Sequence, residues 1–403
     1  MMNRNAKQEE PIMNSLKQSP PWRGVMILIC ACLAPNLLAQ GIDLYVNNDL
    51  QQTRDVSMPL GSQTNPFMSI QMAIDMAQSG QTVLVAPGEY TEPVGPDGFS
   101  AIYFNGRDVI VQSLDPNNPV LVRQTVIQAA VLFSGNETEA CVLSGFKFEL
   151  PWENGIYGNF TQATISHCII TGNTLCEGTV LWDCDGLIES CLIADNRFSG
   201  ECQPRPVIFG CQGIIRNCTI ANNAYGMVIG SALVENCIIS GNEYFQLAVF
   251  EGAHATVSYS CITGGVGVTQ GILTWGKGNI DSDPLVVRNG MWEAESYIPG
   301  DYHLLSQGLR WDEIQADWVV DGETSFCINA GNPDTLLAEK IDLDPFSLAV
   351  SRINMGVYGG TYQGSVAPAG HLVPNDVFIP EHEGSNNQVL SVNLLHLVNL
   401  HRI

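Results

Sequence analysis

Basic residues are scarce in this sequence: 17 Lys and Arg stand against 41 Asp and Glu, a formal charge of −24. Such a field repels nucleic acid and anionic lipid unless a local basic patch overrides it, and no run of Lys or Arg supplies one. After residue 40 there is also no apolar stretch long enough to span a bilayer, so no transmembrane segment is expected in the mature chain. A glycine-rich phosphate loop, an HExxH pair and a serine elbow are all missing, which removes the commonest signatures of nucleotide, zinc-peptidase and serine-hydrolase chemistry. What is plentiful is glycine, 39 residues of it, which suits many tight turns and disfavours long helices.

The first 39 residues read as a secretory signal peptide. Lys17 and Arg23 precede the apolar run "VMILICACLAP", and Ala39 is placed as a cleavage residue. Its removal takes away four basic and two acidic residues, leaving 13 against 39, and it leaves 11 of the 13 cysteines. An odd number cannot pair completely within one chain. The address expected is secreted or cell-envelope, where disulfides are permitted but not required.

A repeat dominates the middle of the chain. "TISHCIITGN", "LIESCLIADN", "IIRNCTIANN" and "LVENCIISGN" end at Asn173, Asn196, Asn223 and Asn242, with cysteines at 168, 191, 218 and 237. In each unit apolar residues fall three before the cysteine, at it, and two after it, as in Ile188, Cys191 and Ile193. The last two alternate as a short strand does. Seven residues before two of these cysteines lies a second echo, "VLWDCDG" beside "VIFGCQG", so at least two strands recur per unit. Short strands separated by Gly and Asn, repeated every two dozen residues or so, describe a solenoid with rungs roughly 4.8 Å apart. The recurring asparagines are expected to stack at a turn, tolerating left-handed geometry and bonding backbone or the amide above.

With these units, the segment "NPFMSIQMAIDMAQSGQTVLVAPGEYTE" and the further coils "DVIVQSLDP" and "CVLSGFKFE", the chain resembles the pectin-lyase-like family of right-handed parallel β-helix proteins over roughly residues 65 to 285. The resemblance implies an all-β, right-handed parallel β-helix with a short capping helix near 69–79, N-capped by Ser69, and "TVLVAP" as the first strand. Phe146 takes the place later rungs give to cysteine. In "ATVSYSCITGG" two registers stay open: Cys261 matches by residue type, Val257 with Ile262 by spacing. The segments "GNIDSDPLV", "DYHLLSQG", "SFCINAGNP" and "RINMGVYGG" resemble those completing secreted planctomycete-type β-helices, with Trp275, Trp292, Trp311 and Trp318 packing loops over the last coil. One unit is therefore expected over 41–361, followed by a linker and short tail over 362–403.

Residues in one solenoid register form a line, not a tetrahedron, so the four cysteines read as an inward stack of thiols and not a zinc site. Cys184 with Cys211, and Cys176 with Cys202, are the better disulfide candidates. Glu189, Arg216 and Glu235, each two residues before a cysteine, are expected to form an exposed charged column with rung-to-rung ion pairs.

The densest acidic set is Glu177, Asp183, Asp185, Asp195 and Glu201, with Arg197 and Arg205 nearby in sequence. These are the candidate catalytic residues, because paired carboxylates serve as acid and base when their environments differ. Asp281 and Asp283 in "IDSDP" could donate calcium ligands. Against catalysis, Asp183 and Asp185 are replaced one coil later by Gly210 and Gln212, and neither the paired-Asp signature of galacturonase-like hydrolases nor the arginine-containing signature of pectate lyases is present. The leading expectation is a secreted or envelope β-helix that binds extracellular polysaccharide or a surface partner. The alternatives are a calcium-assisted polysaccharide lyase or glycosidase, and a purely structural surface protein.

Overall fold

The computed structural model describes residues 43–49, 53–92, 101–150, 155–176, 179–199, 205–264, 270–335 and 352–371. The expected signal peptide, Glu177, Glu201, Cys202 and the chain from 372 onward lie outside the described residues.

Among the described residues three parallel sheets build the solenoid, visited in the order first, second, third from Thr82 to Ile262. The first stacks ten strands, from Leu44–Val46 to Ile272–Trp275. The second stacks eight, from Gly88–Tyr90 to Cys261–Ile262, and the third seven, from Ala101–Tyr103 to Leu247–Val249. The repeat register is the one the sequence implies: Ile165, Ile188, Ile215, Val234 and Val257 pair in line on the first sheet. Ile170, Ile193, Ile220, Ile239 and Ile262 do so on the second. All are fully enclosed, as are the four cysteines between the two lines. The chain is a right-handed parallel β-helix.

The open register is resolved by spacing. Val257 pairs with Val234 and Ile262 with Ile239, so buried Ser260 stands in the cysteine column and Cys261 falls beside it. The substitution is conservative in hydrogen bonding: Ser260 Oγ accepts the Cys237 N–H at 3.1 Å, as Cys218 Sγ accepts that of Cys191 at 3.5 Å. All four repeat cysteines are free thiols. Each donates to the carbonyl two residues back, for example Cys218 to Arg216 at 3.2 Å. Cys184 and Cys211, considered for a disulfide, are also free and buried on the third sheet, whereas Cys176 is disulfide-bonded.

The four asparagines form the expected ladder. Nδ2 of Asn173, Asn196 and Asn223 each donates to Oδ1 of the next, at 2.9 Å throughout, and the same oxygen accepts the backbone N–H of the rung before at 3.1–3.2 Å. Gln246 ends the column by accepting from Asn242 Nδ2 at 2.8 Å. The left-handed geometry, however, belongs to the residue before each ladder asparagine: Gly172, Asp195, Asn222 and Gly241 all have φ between 53° and 68°. That residue turns the corner, which leaves the asparagine side chain free to run along the column. A second left-handed column, His167, Ser190, Asn217, Asn236 and Tyr259, precedes the cysteine positions.

At the N-terminal end the helix Ile70–Met76 covers the first rungs, with Ser69 Oγ accepting from Met72 N and Ile70, Ala73 and Ile74 turned inward. The strand Thr82–Val85 is not the first, since Leu44–Val46 pairs ahead of it. The other correction concerns the region after residue 280. It does not merely cap the last coil but turns back along the outer face of the second sheet, where Tyr302, Val357 and Tyr358 pack on Leu192, Ala194 and Ala221. It reaches Arg123 near the opposite end through Glu313 at 2.5 Å. Trp311 and Trp318 pack on each other within their own hairpin. Residues 363–367, assigned by the sequence to a linker, are buried, and Val366 pairs with Leu309.

Asn196→Ala removes one ladder amide and leaves the N–H and amide groups of the preceding rung without their acceptor. A loss of about 1–3 kcal/mol in unfolding free energy is expected in urea titration, comparable with the roughly 2–5 kcal/mol expected for Ile193→Ala.

Candidate binding cleft

The charged residues singled out in the sequence separate into two groups. Asp195 is 2% exposed at the corner after the second sheet. Its carboxylate accepts from the hydroxyls of Tyr302 at 2.5 Å and Tyr297 at 2.7 Å and from Asn222 Nδ2 at 2.6 Å, while its carbonyl accepts from the Trp292 indole at 3.0 Å. Burial and then the neighbouring Asp195 charge push both tyrosine hydroxyls well above their usual range. Arg197 pairs with Glu295 at 2.5 Å, donates to Thr174 and Ala294, and lies 3.8 Å over the Trp292 ring. Both residues clamp the returning C-terminal segment to the solenoid.

Asp183, Asp185 and Arg205 lie instead along the third sheet. Asp185 accepts from Gln212 N at 3.0 Å and Gln212 Nε2 at 3.3 Å, and partial burial raises its pKa. Asp183 carries φ of 48°, and a Cβ on Gly210 would fall 1.8 Å from its Oδ1, so the glycine of the next rung is required there. Arg205 sits 4.7 Å over Trp182, itself one of a row of outward rings comprising Tyr157, Trp182, Phe209 and Phe250. Asp281 and Asp283 hold turns, accepting from Gly264 N at 2.7 Å and Leu285 N at 2.9 Å. Among the described residues, no group of three or more His, Cys, Asp or Glu is arranged around a common metal position.

A larger concavity lies elsewhere among the described residues. A cleft of about 680 Å³ opens where the corner between the first and second sheets faces the C-terminal segment. One wall is made by two adjacent solenoid columns, the charged column Glu189, Arg216, Glu235 and the left-handed column His167, Ser190, Asn217. The other wall comprises Asn332, Asp334, Thr335 and the stretch Gly359–Tyr362. A smaller, mainly apolar recess lined by Pro119, Val122, Leu192 and Tyr358 shares His167, Ser190 and Tyr362 with it.

The expected ion pairing in the charged column is partial. Arg216 Nε bonds Glu189 Oε1 at 2.8 Å, but Glu235 takes the Asn332 amide at 2.7 Å instead. Asn332 N also donates to Asn236 Oδ1 at 2.6 Å, so this asparagine fastens the second wall to the first. Two buried polar atoms on the solenoid wall have no hydrogen-bond partner among the described residues: Asn217 Oδ1 and His167 Nδ1. Asn217 is 7% exposed. The pKa of His167 is lowered, because burial outweighs the opposing charges of Glu189 and Asp115, so the imidazole is neutral at neutral pH.

This arrangement can hold a small polar molecule: the volume falls within the usual range of about 300–1,000 Å³, and the polar groups stand on strand ends locked by neighbouring rungs. Sequence reasoning located the charged column but missed the left-handed one and the second wall. The signal for the former was present, since the residue before the cysteine position is His, Ser, Asn, Asn or Tyr and never aliphatic.

A family model described as the right handed beta helix region matches residues 126–279. Among solved structures, a pectin methylesterase from Aspergillus niger is 12% identical with a TM-score of 0.39, over 60% of this chain and 86% of that one. The pectate lyase Pel9A is 13% identical with a TM-score of 0.28, over 78% and 96% respectively. No curated protein sequence matches. The sheet topology and the family match define the class by fold, a right-handed parallel β-helix, and fold alone assigns no chemistry. No helix among the described residues is long and apolar enough to cross a membrane.

Asp195→Ala strands two tyrosine hydroxyls and an amide, and should cost on the order of 3–5 kcal/mol, with new protease cleavage within residues 286–304 as the specific readout. For His167 the folded pKa is depressed, so the unfolded chain takes up its proton first. Its contribution to stability is complete above pH of about 6.5 and is lost as pH falls below that value. His167→Asn keeps a side chain that tolerates φ of 53°; the variant should show a shallower loss of unfolding free energy than the parent chain between about pH 7.5 and 5.5.

Proposed function

We propose that the protein is a secreted or cell-envelope β-helix that binds extracellular carbohydrate in the cleft between the solenoid corner and the C-terminal segment. The observation that carries this reading is the pair of unpartnered buried atoms, Asn217 Oδ1 and His167 Nδ1, on a preformed polar wall. A buried acceptor without a donor is costly, and a ligand hydroxyl supplies one. Saccharides bring hydroxyl donors in dense array, and the neighbouring Tyr362, 41% exposed, offers a ring face on which a sugar can pack.

Catalysis is the second reading, favoured by one observation: the raised pKa of Asp185, which follows the strand carrying Asp183 and Trp182, the ring over which Arg205 sits. A calcium-assisted lyase or a glycosidase built there would need a partner carboxylate. Asp195 and Arg197, engaged with the C-terminal segment, are poorly placed to join it.

The mature chain should be retained by at least one member of a panel of neutral, acidic and amino polysaccharides. Asn217→Gly keeps the left-handed backbone and deletes the amide, and is expected to weaken binding about tenfold or more, the effect of losing a well-placed buried hydrogen bond. Retention without reducing-end or unsaturated product, with and without calcium, sets binding apart from catalysis; no retention on any member overturns the carbohydrate reading.

A further inference from the structure

The charge of the cleft narrows the saccharide it suits. Glu189, Glu235 and Asp334 line it against a single guanidinium, Arg216, whose Nε is already turned to Glu189. Asp334 donates its backbone N–H to Asn332 Oδ1, and its carboxylate has no partner among the described residues. Asn217, 7% exposed, adds an unpartnered oxygen. The lining thus offers a surplus of acceptors and a net charge of −2, with the Nε edge of its guanidinium already given to Glu189. A uronate entering such a site would bring one more carboxylate to a lining whose acidic groups already outnumber its one guanidinium, inside a chain whose formal charge is already −24. An ammonium group reverses each of those terms. It donates three hydrogen bonds, accepts none, and carries the charge the site lacks.

We propose that the cleft selects an amino sugar, a saccharide unit with a free ammonium group, with Asp334 and Glu235 receiving the ammonium and Asn217 Oδ1 a ring hydroxyl. This rests on the carbohydrate reading of the same cleft and adds the ligand's charge to it. Acidic side chains alone would not make a site. Here the buried amide oxygen of Asn217, without a partner among the described residues, is an independent observation that favours a donor at this wall, and Asn332, anchored to both Glu235 and Asn236, holds the two walls together.

The test is calorimetric titration of the full mature chain at about 0.15 M salt, where field effects beyond roughly 8 Å are screened. The ligands are short oligomers of equal length: glucosamine, its N-acetylated form, a neutral hexose and galacturonate. Glucosamine should bind about tenfold or more tighter than the neutral and acetylated oligomers, an increment of one charged contact, and galacturonate should bind weakest. Asp334→Asn and Glu235→Gln should each reduce that preference several-fold. Glu251→Gln, an exposed charge outside the cleft, should leave the preference intact. Equal binding of glucosamine and neutral oligomers, or a preference surviving both cleft substitutions, overturns the ammonium assignment and leaves carbohydrate binding standing. Tightest binding by galacturonate overturns the assignment as well, and absence of binding by all four overturns both.

Discussion

Everything in this molecule depends on successive rungs meeting in register. A single coil buries only part of its apolar surface and leaves its backbone groups open on two sides; the next coil must supply both the packing and the hydrogen bonds. Register is held at two kinds of place. Inside, the lines of Ile and Val on the first and second sheets close against each other with the cysteines between them. At the corner, each ladder asparagine after the first uses one oxygen to bind both the amide and the backbone N–H of the rung before it. A slip of one residue would point the aliphatic line outward and break the amide chain together, so the two devices reinforce each other.

The left-handed residues are the means by which a flat rung becomes a closed coil. One column precedes the cysteine positions and the other precedes the ladder asparagines, and both contain residues for which positive φ is comparatively cheap, chiefly Asn, Asp, His and Gly, with Ser190 and Tyr259 as the less usual members. Each turn also ends a strand, so the side chains beside it are exposed at a fixed place along the axis. The polar wall of the cleft is a consequence of this corner geometry: Glu189, Arg216 and Glu235 lie at the strand ends, and His167, Ser190 and Asn217 lie on the turn itself.

Periodicity made part of this legible in the sequence and concealed the rest. The inward lines, the thiol column, the amide ladder and the N-terminal helix all follow from residue types repeated at a spacing, or from a capping serine before an apolar face. Even the Ser260 substitution obeys spacing once Val257 and Ile262 are aligned. The C-terminal segment has no period to read. Its attachments are single contacts across the chain, such as Asp195 with Tyr297 and Tyr302, separated by 102 and 107 residues, or Arg123 with Glu313, separated by 190. Because that segment forms half of the cleft, the site was only half visible: its charged column could be seen as an exposed ladder, but not that another wall faced it.

The same distinction explains why acidic residues close together in sequence acquire different fates. Asp185 and Asp195 are ten positions apart, yet the strands Leu187–Glu189 and Leu192–Ala194, with the left-handed turn at Ser190 between them, carry them to separate surroundings. Asp185 remains on the third sheet facing Gln212 of the next rung, and Asp195 becomes the buried acceptor for two tyrosines. Sequence proximity in a solenoid measures position around the coil, and function depends on position along it, where neighbours are about two dozen residues away. A charged cluster that is compact in the sequence is thus spread around the circumference. Residues that converge, such as Glu189, Arg216 and Glu235, are those sharing one place in successive units. For a rigid coil of this kind, a binding surface is most economically made by varying one column against a facing segment, because the rungs already fix every side chain in that column at a constant interval.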